Sequence, residues 1–378
     1  MYGNLNQKKT LTDVPHKILE TAYKSGVDPN DEKRSGTLLH VDQATIYSKV
    51  NDFFQGKIEI MDTKDALKQY SWLNEYRWKL IDKDKDEFTK KVAQDYSGGY
   101  FIRILPGVEV IFPLQSCLMI TSNNLEQRVH NIIIAEEASK AHIISSCVQH
   151  SKVENASHIG VSEFYVKKNA LLNFTMIHNW SEKTLVRPRS AALIDDGGEF
   201  VSNYICLNPV KDVQMYPVAY CNGEESKVNF NSILYGQHKS SLDIGSKAVL
   251  NGKKSKAELI TRAVARKDSR IIAKGLIDGN NSESKGHLEC RGLLLDDESF
   301  IQSIPELIAR RKGVEITHEA AVGKISEAEI MYLMTRRLTE EQAISTIVRG
   351  FMDVDIMGLP ASLNKEVNQI VDLVAQSS

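Results

Sequence analysis

A mainly β chain is predicted, with a parallel β-solenoid core between helical N- and C-terminal regions, and three observations carry that expectation. From Gly99 to about Val314 the hydrophobic period is two: AHIISSCV, ALLNFTMI, EFVSNYICL, KVNFNSILY and AELITRAVA are short, rich in β-branched or aromatic residues, and bounded by Asn, Gly, Asp and Ser. No helical pattern of useful length separates them, which excludes a doubly wound α/β fold. A weak repeat then recurs, in which polar or charged residues and a small residue precede an alternating strand. Its small residues fall at Ala156, Ala170, Ser226, Ser255, Ser269, Ser299 and Gly313. The steps from 156 to 170, 255 to 269 and 299 to 313 are equal, and about half as long as those from 226 to 255 and 269 to 299. Such steps suit a coil of roughly 28–30 residues per rung. An irregular β-sandwich with coincidental spacing is the rival reading.

The elements follow in order. Residues 1–98 read as helical and charged. Asp13, Pro15 and Gly26 bracket one helix, with proline near its start and glycine past its end. Asp65 to Tyr96 reads as further helices closing at Ser97-Gly98-Gly99. Residues 99–316 form the solenoid, and 317–378 a C-terminal helical region. There Ser326/Glu329 and Thr339/Gln342 stand in the spacing of capping boxes. Ile344, Ile347, Val348 and Phe351 form one apolar stripe behind the second cap. A third helix is expected from Leu363, Val367, Ile370, Val371 and Val374.

Composition narrows the function. The 378 residues carry 47 basic and 49 acidic side chains, so no phosphate-binding surface is announced and nucleic acid is not expected as a partner. The N-terminal stretch has no apolar core of a secretory signal, and no run reaches membrane-spanning length. Five cysteines (117, 147, 206, 221 and 290) with no CxxC pair suit buried thiols in a reducing cytoplasm. There is no P-loop: GSKAVLNGKK at 245–254 has the wrong glycine spacing. His318-Glu319 is not followed by the second histidine of H-E-x-x-H, because position 322 is Val. No hydrolase, kinase or dinucleotide signature appears, so an ordinary enzyme is not announced. A polysaccharide lyase or hydrolase on a solenoid would need a repeated acidic stripe, and none is found.

Cys290 and the pair His318-Glu319 remain as candidates. The distance along the chain from Cys290 to Glu319 is close to one rung, so the two are expected to stack on adjacent strands about 4.8 Å apart. Thiolate and imidazole suit iron, and carboxylate is a harder, more exchangeable ligand. A lone cysteine in a strand is more often a small buried apolar residue. Cys117, Cys147 and Cys206 favour that bland role. Cys221, beside Asn222-Gly223, is expected to be more exposed and to be a candidate secondary sulfur-handling thiol. His287 is the other histidine near Cys290.

THEAAVGKI followed by EAEIMYLMTRRLTEEQAISTIVRGF resembles the C-terminal signature of the SufB/SufD family, iron–sulfur cluster assembly scaffolds of the SUF system. The resemblance runs from about Lys79 to the final helix. It implies a right-handed parallel β-helix, pairing through the β-helices with a second copy or a paralogue, and C-terminal helices that dock a SufC-like ABC-type ATPase. It also implies a transient iron–sulfur cluster, a sulfur donor and apo-protein recipients. By the same resemblance, ECRGLLL places Cys290 at the cysteine linked to cluster assembly, with Glu319 and His318 at the other two positions. Arg336, Arg337, Glu340 and Glu341 fall on the ATPase-docking turn; a solvated helix face is the plain alternative. The N-terminal cysteine cluster of many SufB proteins is missing. A cytoplasmic scaffold rather than an enzyme is therefore expected, with a SufD-like accessory subunit that holds no cluster as the alternative.

Overall fold

The structure, a computed structural model, describes residues 7–23, 27–28 and 33–352. Strands and tight turns wind into a parallel β-solenoid of about 8 turns, as the two-residue period and the repeat require. One sheet of 10 strands starts at Ala44–Val50 and Gly36–Val41 and ends at Glu315–Lys324; a second, of 11 strands, has Phe300–Ala309 as its last. Lys227, Lys256, Lys285 and Glu315 stand in register on successive rungs, so the third step is longer by one position than the two equal steps before it.

The small residues of the repeat sit at the corners. Ser226, Ser255, Ser269 and Ser284 are 0, 0, 1 and 0% exposed, because a chain that turns this tightly leaves room for little more than a hydroxyl. Ser226 and Ser284 donate to the carbonyls of Gly223 and Asn281, each at 2.7 Å, which closes the turn. Outside the same corner, Asn280 donates to Asn251 and Asn251 to Asn222, both at 2.8 Å, forming an amide ladder along the coil. Asn251→Ala removes two of these bonds and is expected to lower unfolding stability by about 1 kcal/mol. An unchanged urea midpoint would show that the ladder contributes nothing.

Inside the coil, columns of mostly apolar residues run from rung to rung. Leu114, Ile143, Phe174, Ser202, Phe230, Leu259 and Leu288 stack in turn, and the column ends on His318. Stacking every apolar residue on its equivalent gives one continuous core.

The N-terminal region is not purely helical. The predicted helices are present as His16–Tyr23, Thr63–Gln69 and Glu87–Gln94, with Pro15 before the first and Asp62 and Asp86 capping the others. Gly26 lies outside the described residues. TLLHV and ATIYSKV, however, form a hairpin at Asp42-Gln43. Gly36–Val41 then adds in parallel to Leu114–Ile120, and Ile58–Asp62 pairs antiparallel with Tyr100–Ile104. Gly36–Val41 is buried along its length, covering a sheet edge that would otherwise expose unpaired peptide groups. His16–Tyr23 packs on the outside of the first sheet, against Val41, Met119 and Val148, and the other two helices lie on the outside of the second. There the buried carboxylate of Glu163 accepts from the amides of Trp78 and Leu80, both at 2.7 Å, and sits 2.8 Å from His130 Nε2.

At the other end the predicted boundary at 316/317 falls inside a strand. His318 and Glu319 belong to Glu315–Lys324, the last strand of the coil, and the helical part begins after Ser326. The expected third helix, with Leu363 and Val374, lies outside the described residues. Among the described residues, no helix is long and apolar enough to cross a membrane.

Candidate functional site at the open end of the solenoid

The last two rungs position every candidate side chain. On Lys285–Leu294 the even positions face the coil interior: Leu288 is fully buried, Cys290 is 3% exposed, and a Cβ on Gly292 would meet Ile301 and Val322. His318 and Ala320 share that inward side, registered with Leu288 and Cys290. The odd positions face outward, so Glu289 is registered with Glu319.

Glu319 therefore does not stack on Cys290. The turn 266–269 in the preceding rung is replaced by the turn 295–299, which is longer by one position. That single insertion lengthens the whole rung, and a slip of this size exchanges both the partner and the face. His318 is the one predicted partner on the same side as Cys290, as its diagonal neighbour.

Two edges are open here. Among the described residues, Phe300–Ala309 and Glu315–Lys324 each have a strand on one side only. Most of Glu315–Lys324 is exposed, and Phe300, Leu307 and Val322 present apolar surface. An unpaired edge of this length offers a row of peptide donors and acceptors to another chain.

Burial pushes the Cys290 thiol above its ordinary value. Against that shift works the Ser303 hydroxyl from the facing strand, a buried group with no hydrogen bond of ordinary geometry. The other cysteines are buried too. Burial raises Cys117, Cys206 and Cys221 to about 12 and raises Cys147 as well. Cys221 is 0% exposed, contrary to the exposed thiol expected from its turn, because its side chain faces the coil interior. A protonated, enclosed thiol is a poor nucleophile, which removes the support for a sulfur-handling role there.

Outside the coil lies a group that sequence reasoning missed. Arg291 Nε is 3.1 Å from Glu289 Oε1, and its Nη2 is 3.3 Å from Glu289 Oε2 and 3.7 Å from Glu319 Oε2. Arg262, one rung back, places Nη2 3.8 Å from Glu289 Oε1 and donates from Nη1 to the Phe351 carbonyl at 3.2 Å. The charges flanking Cys290 in E-C-R were the available signal, since alternation puts both on the outer side. His287 is also outside, its Nδ1 2.9 Å from Thr317 Oγ1. Among the described residues, no three metal-ligating side chains converge. The thiol and the imidazole stand on the inner side of the open end and the carboxylate outside it, so within this chain the three do not converge on one point.

The C-terminal helices Glu327–Thr335 and Glu340–Phe351 flank this end. The capping box of Thr339 and Gln342 closes in both directions, whereas Ser326 accepts from the Glu329 amide only. Ile344, Val348 and Phe351 pack on Ile233, Tyr235 and Leu293 outside the first sheet; Ile347 is half-buried. Helix Glu327–Thr335 leaves Met331, Tyr332 and Met334 exposed, next to Arg336 and Arg337. Glu340 and Glu341, in the first turn of the next helix, are exposed as well.

Comparison with known proteins agrees with this geometry. The family profile described as "SUF system FeS cluster assembly, SufBD core domain" matches residues 118–351, from the early rungs to the end of the last described helix. An iron–sulfur cluster assembly SufBD family protein of Methanothermobacter thermautotrophicus (strain Winter) is 48% identical over 375 residues, covering 98% of this chain and 91% of its own length. A protein of the same description from Archaeoglobus fulgidus is 48% identical over 354 residues, 94% of each chain. The iron–sulfur cluster assembly protein SufB of Bacillus subtilis is 26% identical over 381 residues, 98% of this chain and 81% of its own length. With a solenoid of the expected rung length matched along most of its course, the chain belongs to the SufBD family of iron–sulfur cluster assembly proteins.

Proposed function

We propose that this chain is a cytoplasmic scaffold subunit that builds a transient iron–sulfur cluster and passes it to apo-proteins. The observation that carries this reading is the open end of the coil. Cys290, His318 and Glu319 lie on the last two rungs, beside two strand edges that are unpaired among the described residues. A second copy, or a paralogue, would meet these edges and complete the donor set. Cys290 ligates iron and, as sulfur acceptor, attacks the outer sulfur of a donor persulfide and displaces the donor as its thiol; Glu319 is an exchangeable oxygen ligand, and His318 is a neighbouring ligand or proton acceptor. Such a mixed set suits a cluster that must leave again. ATP chemistry belongs to a SufC-like ABC-type ATPase docked on the C-terminal helices.

Exposed Met331, Tyr332 and Met334, followed along the chain by exposed Arg336, Arg337, Glu340 and Glu341, support that docking surface, because protein interfaces combine apolar and charged residues. Arg336→Glu combined with Arg337→Glu is expected to weaken binding of the ATPase roughly tenfold or more, since like charges would then be set against the partner's complementary rim. Calorimetric titration measures it, and unchanged affinity would move the docking surface elsewhere.

The burial of Cys290 favours a second reading, an accessory SufD-like subunit that holds no cluster. Anaerobic reconstitution of the full chain with Fe(II) and sulfide, with and without the ATPase, separates the two. The scaffold reading expects thiolate-to-iron absorption and transfer to an apo iron–sulfur protein. An accessory subunit would co-purify with the ATPase and hold no iron in any anaerobic preparation.

A further inference from the structure

Glu289 and Glu319 face outward at the same height on adjacent strands, so two carboxylates stand directly opposite each other. Like charges so placed repel. The guanidinium of Arg291 reaches both, but unequally. It donates to Glu289 Oε2 at 3.3 Å, lies 3.1 Å from Oε1 as an ion pair without a hydrogen bond, and approaches Glu319 only to 3.7 Å. Glu289 is itself held from the far side by Arg262, which is tied to the carbonyl end of helix Glu340–Phe351. Its side chain is 12% exposed, against 64% for Glu319. One carboxylate is thus fixed and the other loosely tethered, with a single cation between them.

We infer that Arg291 is a positioning residue that sets how firmly Glu319 holds iron, its guanidinium, anchored on Glu289, competing with the metal for the Glu319 carboxylate. This rests on the reading that Glu319 is an iron ligand. Arginine stays protonated at any working pH, so the competitor is always present. Iron must displace one part-exposed ion pair to use Glu319, and the same pair re-forms when iron leaves. The exchange opposes retention of iron and favours its release. Glu289 matters because it keeps the fork of the guanidinium occupied. Without it, both nitrogens become available to Glu319.

The two substitutions therefore act in opposite directions. Anaerobic equilibrium titration of the full chain with Fe(II) alone is expected to show Arg291→Gln binding about fivefold tighter, the upper end of what a part-exposed pair contributes. Glu289→Gln is expected to bind Fe(II) more weakly by a similar factor, and Arg291→Lys to fall between parent and Arg291→Gln. A structural disturbance would weaken both, so the opposite signs are the diagnostic result; thermal unfolding of each variant reports its fold separately. In a Glu319→Gln background the Arg291→Gln effect should vanish, as a double-mutant cycle requires of a direct interaction. If Glu319→Gln weakens Fe(II) binding while Arg291→Gln leaves it unchanged or weakens it, the competition is refuted and the ligand assignment stands. If Glu319→Gln has no effect, the ligand assignment fails and the inference falls with it.

Discussion

Cys290→Ser is expected to lower the cluster content reached in anaerobic reconstitution by roughly tenfold or more, because a serine hydroxyl is a hard, weakly acidic donor where iron–sulfur chemistry uses a thiolate. The sulfur lies at the end of the interior column Thr261, Cys290, Ala320, with a single strand between it and the open end of the coil. It is enclosed by that strand and by Ser303 rather than by a further rung. Loading therefore requires the edge strand Glu315–Lys324 to admit iron and sulfide, and meeting a second chain there is the event that would reshape it. Because serine places a polar group in a buried position, Cys290→Ala serves as the second variant: it keeps the site apolar and removes the donor. Both should keep the parent's strand content and lose the visible absorption of the cluster. Parent-like iron and sulfide content in either variant would remove Cys290 from the site and leave the accessory reading in place.

Acid is expected to unfold the chain well before its carboxylates titrate as a class, through histidines buried inside the coil and its N-terminal cap. Burial lowers His40 and His142 to about 4 and His158 to about 3, from an ordinary value of 6.5. The Asp62 carboxylate, 3.8 Å from His40, works against its shift and does not overcome it; His158 is lowered further by repulsion from His40. Each buried ring also has one polar partner: His40 has Thr45 at 3.1 Å, His142 has Thr175 at 3.0 Å and His158 has Gln127 at 2.9 Å. Above pH 6.5 both folded and unfolded chains carry these groups uncharged, and their contribution is level. Below it the unfolded chain takes up protons that the folded one refuses, so stability falls until pH reaches the folded values near 4 and 3. Each histidine contributes a slope of about 1.4 kcal/mol per pH unit, and three together up to about 4. Urea unfolding at pH 8, 7, 6 and 5 should give a plateau down to about 7 and a steep decline beneath it. Buried His130 and His178 are lowered as well and add to the decline, so His158→Gln should make it shallower without abolishing it. Stability that stays level from pH 7 to 5 would contradict the neutral burial of these groups.

Local chemistry made much of this architecture legible. Strand-period alternation, a small residue at each corner and a spacing of half and whole rungs favoured a coil over a sandwich, because a stack of equivalent turns places like residues at fixed steps. The helix starts at Ser326 and Thr339 were legible for a similar reason: a cap is satisfied within one turn by its own neighbours. The hairpin of Gly36–Val50 was not legible. Its strands gain their place by pairing with Leu114–Ile120, far along the chain, and a charged context masked them.

The candidate site divides in the same way. That Cys290, His318 and Glu319 come onto the last two rungs follows from their place in the repeat. Which of them share a side does not, since neighbouring rungs differ in length by a single position and the extra one, in the turn 295–299, reverses the answer. The chain's own pattern established a solenoid, its rung length and its candidate donors. Register, and with it the separation of the thiol from the carboxylate and the seating of Arg291 between two glutamates, was settled only when the strands hydrogen-bonded, because a β-ladder assigns each side chain to one face or the other by a parity that spacing alone leaves open.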